Sequence, residues 1–283
     1  MLQKKYLEVL KKFRLIDDVF FSAFFDDNVE DVQYILRIIL EKEDLKVLKV
    51  QTQKSVENIY GRSVRFDVFA TDTKGKLYNI EVQRANSGAI PQRARYNSVM
   101  LDYHELQKQK EYKNLPESFV IFITENDVIG DGEKIYHADR IIRETGKDFN
   151  DGTHIIYVNG EYKGEKGKPL DDLIHDFFCE NPSDMKHKKL ADRVAFLKEN
   201  KNGVNSMSSI IAEFFKDEIA EAAEKAAEKV AEKVAEKTAE ETKNNTLIKN
   251  VRSLMKKLNI TAQQAMDILE IPTNEQKKYI SLI

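Results

Sequence analysis

One hairpin constrains this chain more than any other stretch. In "YNIEVQR" (78–84) the apolar residues Tyr78, Ile80 and Val82 alternate with Asn79, Glu81 and Gln83, the period-two pattern of a strand whose faces differ. "FDVFA" (66–70) holds Asp67 in the middle of a second such strand. A three-residue loop, Thr73-Lys74-Gly75, joins them and puts Gly75 where a left-handed backbone is needed. That loop pairs Asp72 with Lys76, and on the apolar face Val68 with Ile80 and Phe66 with Val82. On the other face it sets Asp67 opposite Glu81 and Arg65 opposite Gln83. Cross-strand neighbours lie about 4.5–5.5 Å apart at Cβ, where like charges repel. Two carboxylates held this way call for a cation. An oxygen-only donor set suits Mg²⁺, or alternatively Mn²⁺, rather than zinc. The plainer reading is the solvated face of an antiparallel hairpin. Asp and Glu supply 48 of 283 residues, so an acid followed by E-x-Q recurs by chance.

A cation held by Asp67 and Glu81 would polarise a phosphate oxygen and acidify a bound water. Gln83, two residues along the same face, would orient that water or the phosphate, without the positive charge of a lysine. Arg84, Arg93 and Arg95 bracket the start of a helix predicted over 90–110, with Pro91 in its first turn. Cations at a helix N-terminus oppose the macrodipole, which makes sense if an anion such as phosphate docks there. Tyr96, Val99, Met100 and Tyr103 are expected to be that helix's buried stripe.

The rest of the chain reads as alternating helix and strand. Residues 10–41 are helical with a break at Asp26-Asp27-Asn28. Strands are expected at 45–53, 117–125 and 152–160, the second nearly all apolar and so buried on both faces. Helices follow at 170–178 and 188–200. From residue 213 to 243 an Ala-Glu-Lys repeat without Gly or Pro predicts one long helix. Its four-residue period overshoots a helical turn by about 40° per step, so no left-handed coiled-coil seam can persist. A solvated spacer is the first reading, and a short self-association contact the second. The end, 244–283, shows two capping boxes, Thr261…Gln264 and Thr273…Gln276, and reads as three short helices. A helix-turn-helix DNA reader and a plain helical cap would both look like this.

Charge narrows the class. A net charge of −3 excludes a bulk electrostatic nucleic-acid binder but leaves room for a local basic groove. The single cysteine, Cys179, rules out an internal disulfide scaffold and points to a reducing compartment. The first residues lack a signal peptide's apolar core, and no run is long enough to cross a membrane. A soluble, cytoplasmic protein with no membrane partner is expected. The five histidines show no paired metal spacing, and His175, Asp176 and Cys179 read as structural hydrogen bonding. No phosphate-binding loop of the G-x-x-x-x-G-K-[ST] type occurs.

Several motifs in order, "GRSVRFDVFATDTKGKLYNIEVQR", "PQRARYNSVMLD", "LPESFVIFITENDVIG", "DGTHIIYVNGEY", "HDFFCENPSDM" and "LADRVAFLKEN", resemble the PD-(D/E)XK nuclease family transposases, or recombination-promoting nucleases. The likeness runs from about residue 15 to 215. It implies an α/β, restriction-endonuclease-like core, a mixed central sheet flanked by helices, here followed by an all-helical C-terminal tail. The expected division is 1–212 nuclease-like, 213–243 spacer and 244–283 helical unit. The family's D…E-x-K signature falls on Asp67, Glu81 and Gln83, with Gln in place of Lys. Its upstream acid falls on Asp18 or Glu30, with Asp18 favoured by "DDVFFSAFF". The implied activity is metal-dependent DNA endonuclease chemistry. The alternatives are a catalytically weak nuclease fold serving as a DNA-binding or assembly module, and a structural role mediated by the tail, which is also the candidate self-association element.

Overall fold

A computed structural model describes the backbone of all residues except 1, 59–60, 107–110, 165–166, 273–275, 277–278, 281 and 283, and side chains except, in addition, 2–6, 212–236 and 239–241. Two compact units divide the chain, Met1–Phe214 and Phe215–Ile283.

The first unit is built on a six-stranded sheet in the order β1-β2-β3-β4-β8-β5. Its strands are β1 (Val47–Val56), β2 (Val64–Asp72), β3 (Leu77–Gln83), β4 (Ser118–Thr124), β5 (Ile135–Ala138) and β8 (Thr153–Asn159). β1, β2 and β3 run antiparallel, β3, β4 and β8 parallel, and β5 antiparallel at the far edge. The two-residue strands β6 (Ile141–Ile142) and β7 (Lys147–Asp148) pair as a separate ribbon. Helices cover both faces. α2 (Asp18–Phe25), α3 (Val29–Leu40), α5 (Pro169–Phe177) and α6 (Lys188–Glu199) bury Phe20, Phe24, Ile35, Leu173 and Val194 together with Val68, Ile80, Val82 and Ile121 of the sheet. α4 (Pro91–Glu105) covers the other face over Phe69, Leu77, Val120, Phe122 and Tyr157. This is the restriction-endonuclease-like α/β architecture.

The hairpin forms as its loop dictates. Val68 pairs with Ile80 and Thr71 with Leu77. Gly75 has φ +80, and Asp72 Oδ1 accepts from the N–H groups of Lys74 and Lys76 (2.8 and 2.9 Å). Lys198, 3% exposed, donates to the carbonyls of Lys11, Phe13 and Glu180 and so ties α6 to the chain just after α1 (Leu2–Lys12) and α5.

Four expectations are corrected. The N-terminal helical region is three helices, with residues 13–17 non-helical between α1 and α2; the break at Asp26-Asp27-Asn28 stands, with Asn28 capping α3 through the Asp31 N–H (3.2 Å). Phe66 does not share a face with Val68 and Val82. It stacks on Phe69 (6.3 Å) in the α4-side core, because alternation along β2 breaks at Asp67. Met100 is buried as expected, but Val99 and Tyr103 are exposed; α4 turns Ala94, Asn97, Ser98 and Leu101 inward beside Met100. Finally, the Ala-Glu-Lys segment belongs to one helix, α7 (Lys201–Leu258), which absorbs the first of the three short helices expected at the end.

The second unit has its own small core of Val251, Ala265, Met266, Ile271 and Tyr279. Thr261 and Gln264 form the expected capping box at the start of α8 (Ala262–Ile268). Thr273, and with it the second box, lies outside the described residues, as do the side chains of most of the charge repeat.

Candidate active site

β2 follows β1 down to Val64, while β3 follows β4 up to Gln83. The ladder between β2 and β3 ends at Val68 and Ile80, so beyond that pair the two strands part. Backbone N–H groups at such a fork lose their ladder acceptors and need others. The carboxylates supply them. Val82 N–H donates to Asp67 Oδ2 (3.1 Å), and Asp67 N–H to Glu81 Oε1 (3.4 Å). The two acids therefore lie side by side in the mouth of the fork, 6% and 0% exposed, and the solvated-face reading falls.

Glu81 is gripped from α4. Arg93 Nη2 donates to its Oε2 (3.0 Å), and Asn79 Nδ2 to its Oε1 (2.7 Å). Asn97 Nδ2 in turn donates to Asn79 Oδ1 (3.1 Å), with both asparagines buried. Burial raises the Glu81 carboxyl to about 7, against the opposing pull of Arg93 and Asn79. Asp67 is pushed well above the carboxylate range, first by burial, then by the negative charges of Glu81 and Asp18. Arg93 offsets only part of the negative charge of this buried acid pair, and either protons or a cation can supply the rest.

Asp18, the first residue of α2, is close enough for its charge to raise both acids. Glu30 is not; its side chain is 84% exposed on α3 and paired with Lys189 (3.2 Å). Gln83 closes β3, half-buried, with Oε1 lying over Gly88, where a Cβ would stand 2.0 Å from it. Of the three arginines, Arg93 is on Glu81 and Arg84 bridges Asp17 (3.1 Å) and Glu125 (2.9 Å). Arg95 is exposed on the first turns of α4.

Asn79, Asn97 and Gln53 also belong to this neighbourhood, and sequence reasoning passed over them. The available signal was a polar residue at position 79 in a strand that a sheet covered on both faces would bury. Gln53 Nε2 donates to Ser22 Oγ and, at 3.5 Å, to Asp18 Oδ1. Its Oε1 is buried without a hydrogen-bond partner among the described residues. The donors around the acid pair are thus carboxylate and amide oxygens, which fit a hard divalent cation.

Away from the fork, a cavity of about 590 Å³ lined by Glu125, Tyr162, Lys163, Asp171, His175 and Lys186 contains none of the three acids. His175, Asp176 and Cys179 come within 4.8 Å of one another. Asp176 is fully engaged, accepting from the N–H groups of Lys186 and His187 and facing the rings of His175 and His187, while burial raises the Cys179 thiol to about 11.

A family model described as PD-(D/E)XK nuclease family transposase matches residues 16–257. No curated protein and no solved structure matches the chain.

Proposed function

Because the chain belongs to the PD-(D/E)XK nuclease family transposases, we propose that it is a metal-dependent DNA endonuclease whose centre is the strand fork. The observation that carries this is the buried, mutually repelling pair Asp67 and Glu81 with Asp18 beside it. Mg²⁺ or Mn²⁺ held by these three carboxylates would polarise a phosphodiester oxygen and lower the pKa of an attacking water. Gln83, at the open end of β3, orients that water or the scissile phosphate through its amide. Asn79, itself held by Asn97, donates to one oxygen of Glu81 and leaves the other to Arg93. Arg95 contacts the DNA backbone from the start of α4. Arg84 and Arg93 join it when phosphate competes with Glu125, Asp17 and Glu81 for their guanidinium groups.

The test is plasmid cleavage with Mg²⁺, Mn²⁺ or EDTA. Asp67→Asn and Glu81→Gln are expected to abolish metal-dependent cutting while keeping the fold; wild-type rates in either variant would overturn the assignment. A second reading, a DNA-binding module with weak or no cutting, is favoured by the neutral Gln83 in the place of the family's lysine. Wild-type DNA binding without cleavage, together with cutting restored by Gln83→Lys, would establish it.

A further inference from the structure

Gln53 lies in the middle of β1 with φ +50, a left-handed backbone that non-glycine residues adopt only under tertiary constraint. It falls between the pairs Thr52–Val68 and Lys54–Phe66, so the register sets it opposite Asp67. A left-handed residue inside a strand breaks the period-two alternation, and its side chain leaves the direction its neighbours dictate. Here the amide reaches α2, where Nε2 donates to Ser22 Oγ and Asp18 Oδ1. The other end of the amide, Oε1, is buried and accepts no hydrogen bond from any described residue. Buried amide oxygens are rarely left so, because desolvation without a partner is costly. One residue therefore combines a strained backbone, a bond to the third acid of the site and an unsatisfied oxygen.

We propose that Gln53 completes the cation site: its Nε2 orients the Asp18 carboxylate, and its Oε1 is a neutral oxygen ligand alongside Asp18, Asp67 and Glu81. The proposal rests on the reading of the fork as a divalent-metal site. Hard cations take six or more oxygens and accept Gln carbonyls among them, so a neutral fourth ligand raises coordination without adding repulsion. The strain at φ +50 is then the cost of aiming this amide from a strand that would otherwise direct it elsewhere.

The test is Mn²⁺ binding to the full chain by titration calorimetry, together with the melting temperature in EDTA. In Gln53→Gly the backbone strain is relieved and the ligand removed, so the metal-free melting point should rise while Mn²⁺ affinity falls at least tenfold. In Gln53→Glu a further carboxylate joins the acids, so the metal-free melting point should fall while Mn²⁺ affinity is kept or increased. Asp67→Asn serves as the control for the site itself. If Asp67→Asn loses Mn²⁺ but Gln53→Gly binds it as wild type does, Gln53 is only structural and the inference fails alone. If wild type binds no Mn²⁺, or Asp67→Asn binds it equally well, the fork is not a metal site and both readings fall.

Discussion

Asp67 and Glu81 hold their protons in the folded chain at pH values where unfolded carboxylates have lost them, since burial raises both. The stability they contribute is fully present below the unfolded value, about 4, and is lost as pH rises through the folded one, about 7 for Glu81. In EDTA the protein should therefore be weaker at pH 8 than at pH 5, with Glu81 alone contributing on the order of 2 kcal/mol. Urea denaturation at the two pH values measures it, and the difference should shrink in Asp67→Asn. Magnesium acts in the opposite direction, because binding displaces protons. With a dissociation constant of about 1 mM and about 10 mM Mg²⁺, mass action gives roughly 1.4 kcal/mol, or about 3–6 °C in melting temperature at pH 8. The shift should be smaller at pH 5 and largely absent from Asp67→Asn, whose metal-free form should melt no lower than wild type. An equal magnesium response in both proteins would leave the acids with a purely structural role.

Among the elements, the short turn Asn86–Gly88 between β3 and α4 sets the position of Gln83. Gly88 leaves room for the Gln83 amide, since a Cβ there would stand 2.0 Å from Gln83 Oε1. Gly88→Ala should push the Gln83 amide aside. The displaced group is the end of a flexible side chain, so stability should change by less than about 1 kcal/mol. Cleavage should fall to the level of Gln83→Ala, whereas Gln83→Lys should retain it. A Gly88→Ala protein that cuts at the wild-type rate would remove Gln83 from the reaction. The hairpin itself was legible in advance because its loop length and Gly75 fix the register through local geometry alone. The inward face of α4 was not. Ala94, Asn97 and Ser98 are small or polar and approach the sheet closely, so an apolar stripe drawn through Val99 and Tyr103 points to the wrong side.

At the scale of the molecule, every strand of the six-stranded sheet lies before Gly160, and among the described residues Met207 and Ile211 are the last of the first unit's core. A chain ending at Phe214 keeps all of these and cuts α7 after them. It should fold, unfold cooperatively, and keep both the magnesium-induced rise in melting temperature and the cleavage activity. Circular dichroism with thermal melts, followed by the plasmid assay, checks this. Insoluble or molten material would show that the remainder of α7 contributes to the first unit's stability. Loss of cutting with the fold intact would assign the C-terminal unit a part in the reaction.

The sequence by itself determined what depends on neighbours along the chain. Period two marked β2 and β3, a nearly all-apolar run marked β4, the loop at Gly75 fixed the pairing of Val68 with Ile80, and the Ala-Glu-Lys composition required a helix. These follow from backbone geometry and propensity, which act over a few residues. Only the tertiary structure decided the rest: Asp18 rather than Glu30 beside the acid pair, Arg93 on Glu81 rather than facing solvent, Phe66 turned to the α4 side, and Gln53 strained opposite Asp67. Each depends on where two strands part and on how much water the packed helices exclude. Desolvation belongs to the assembled sheet, and no local pattern in the chain encodes it.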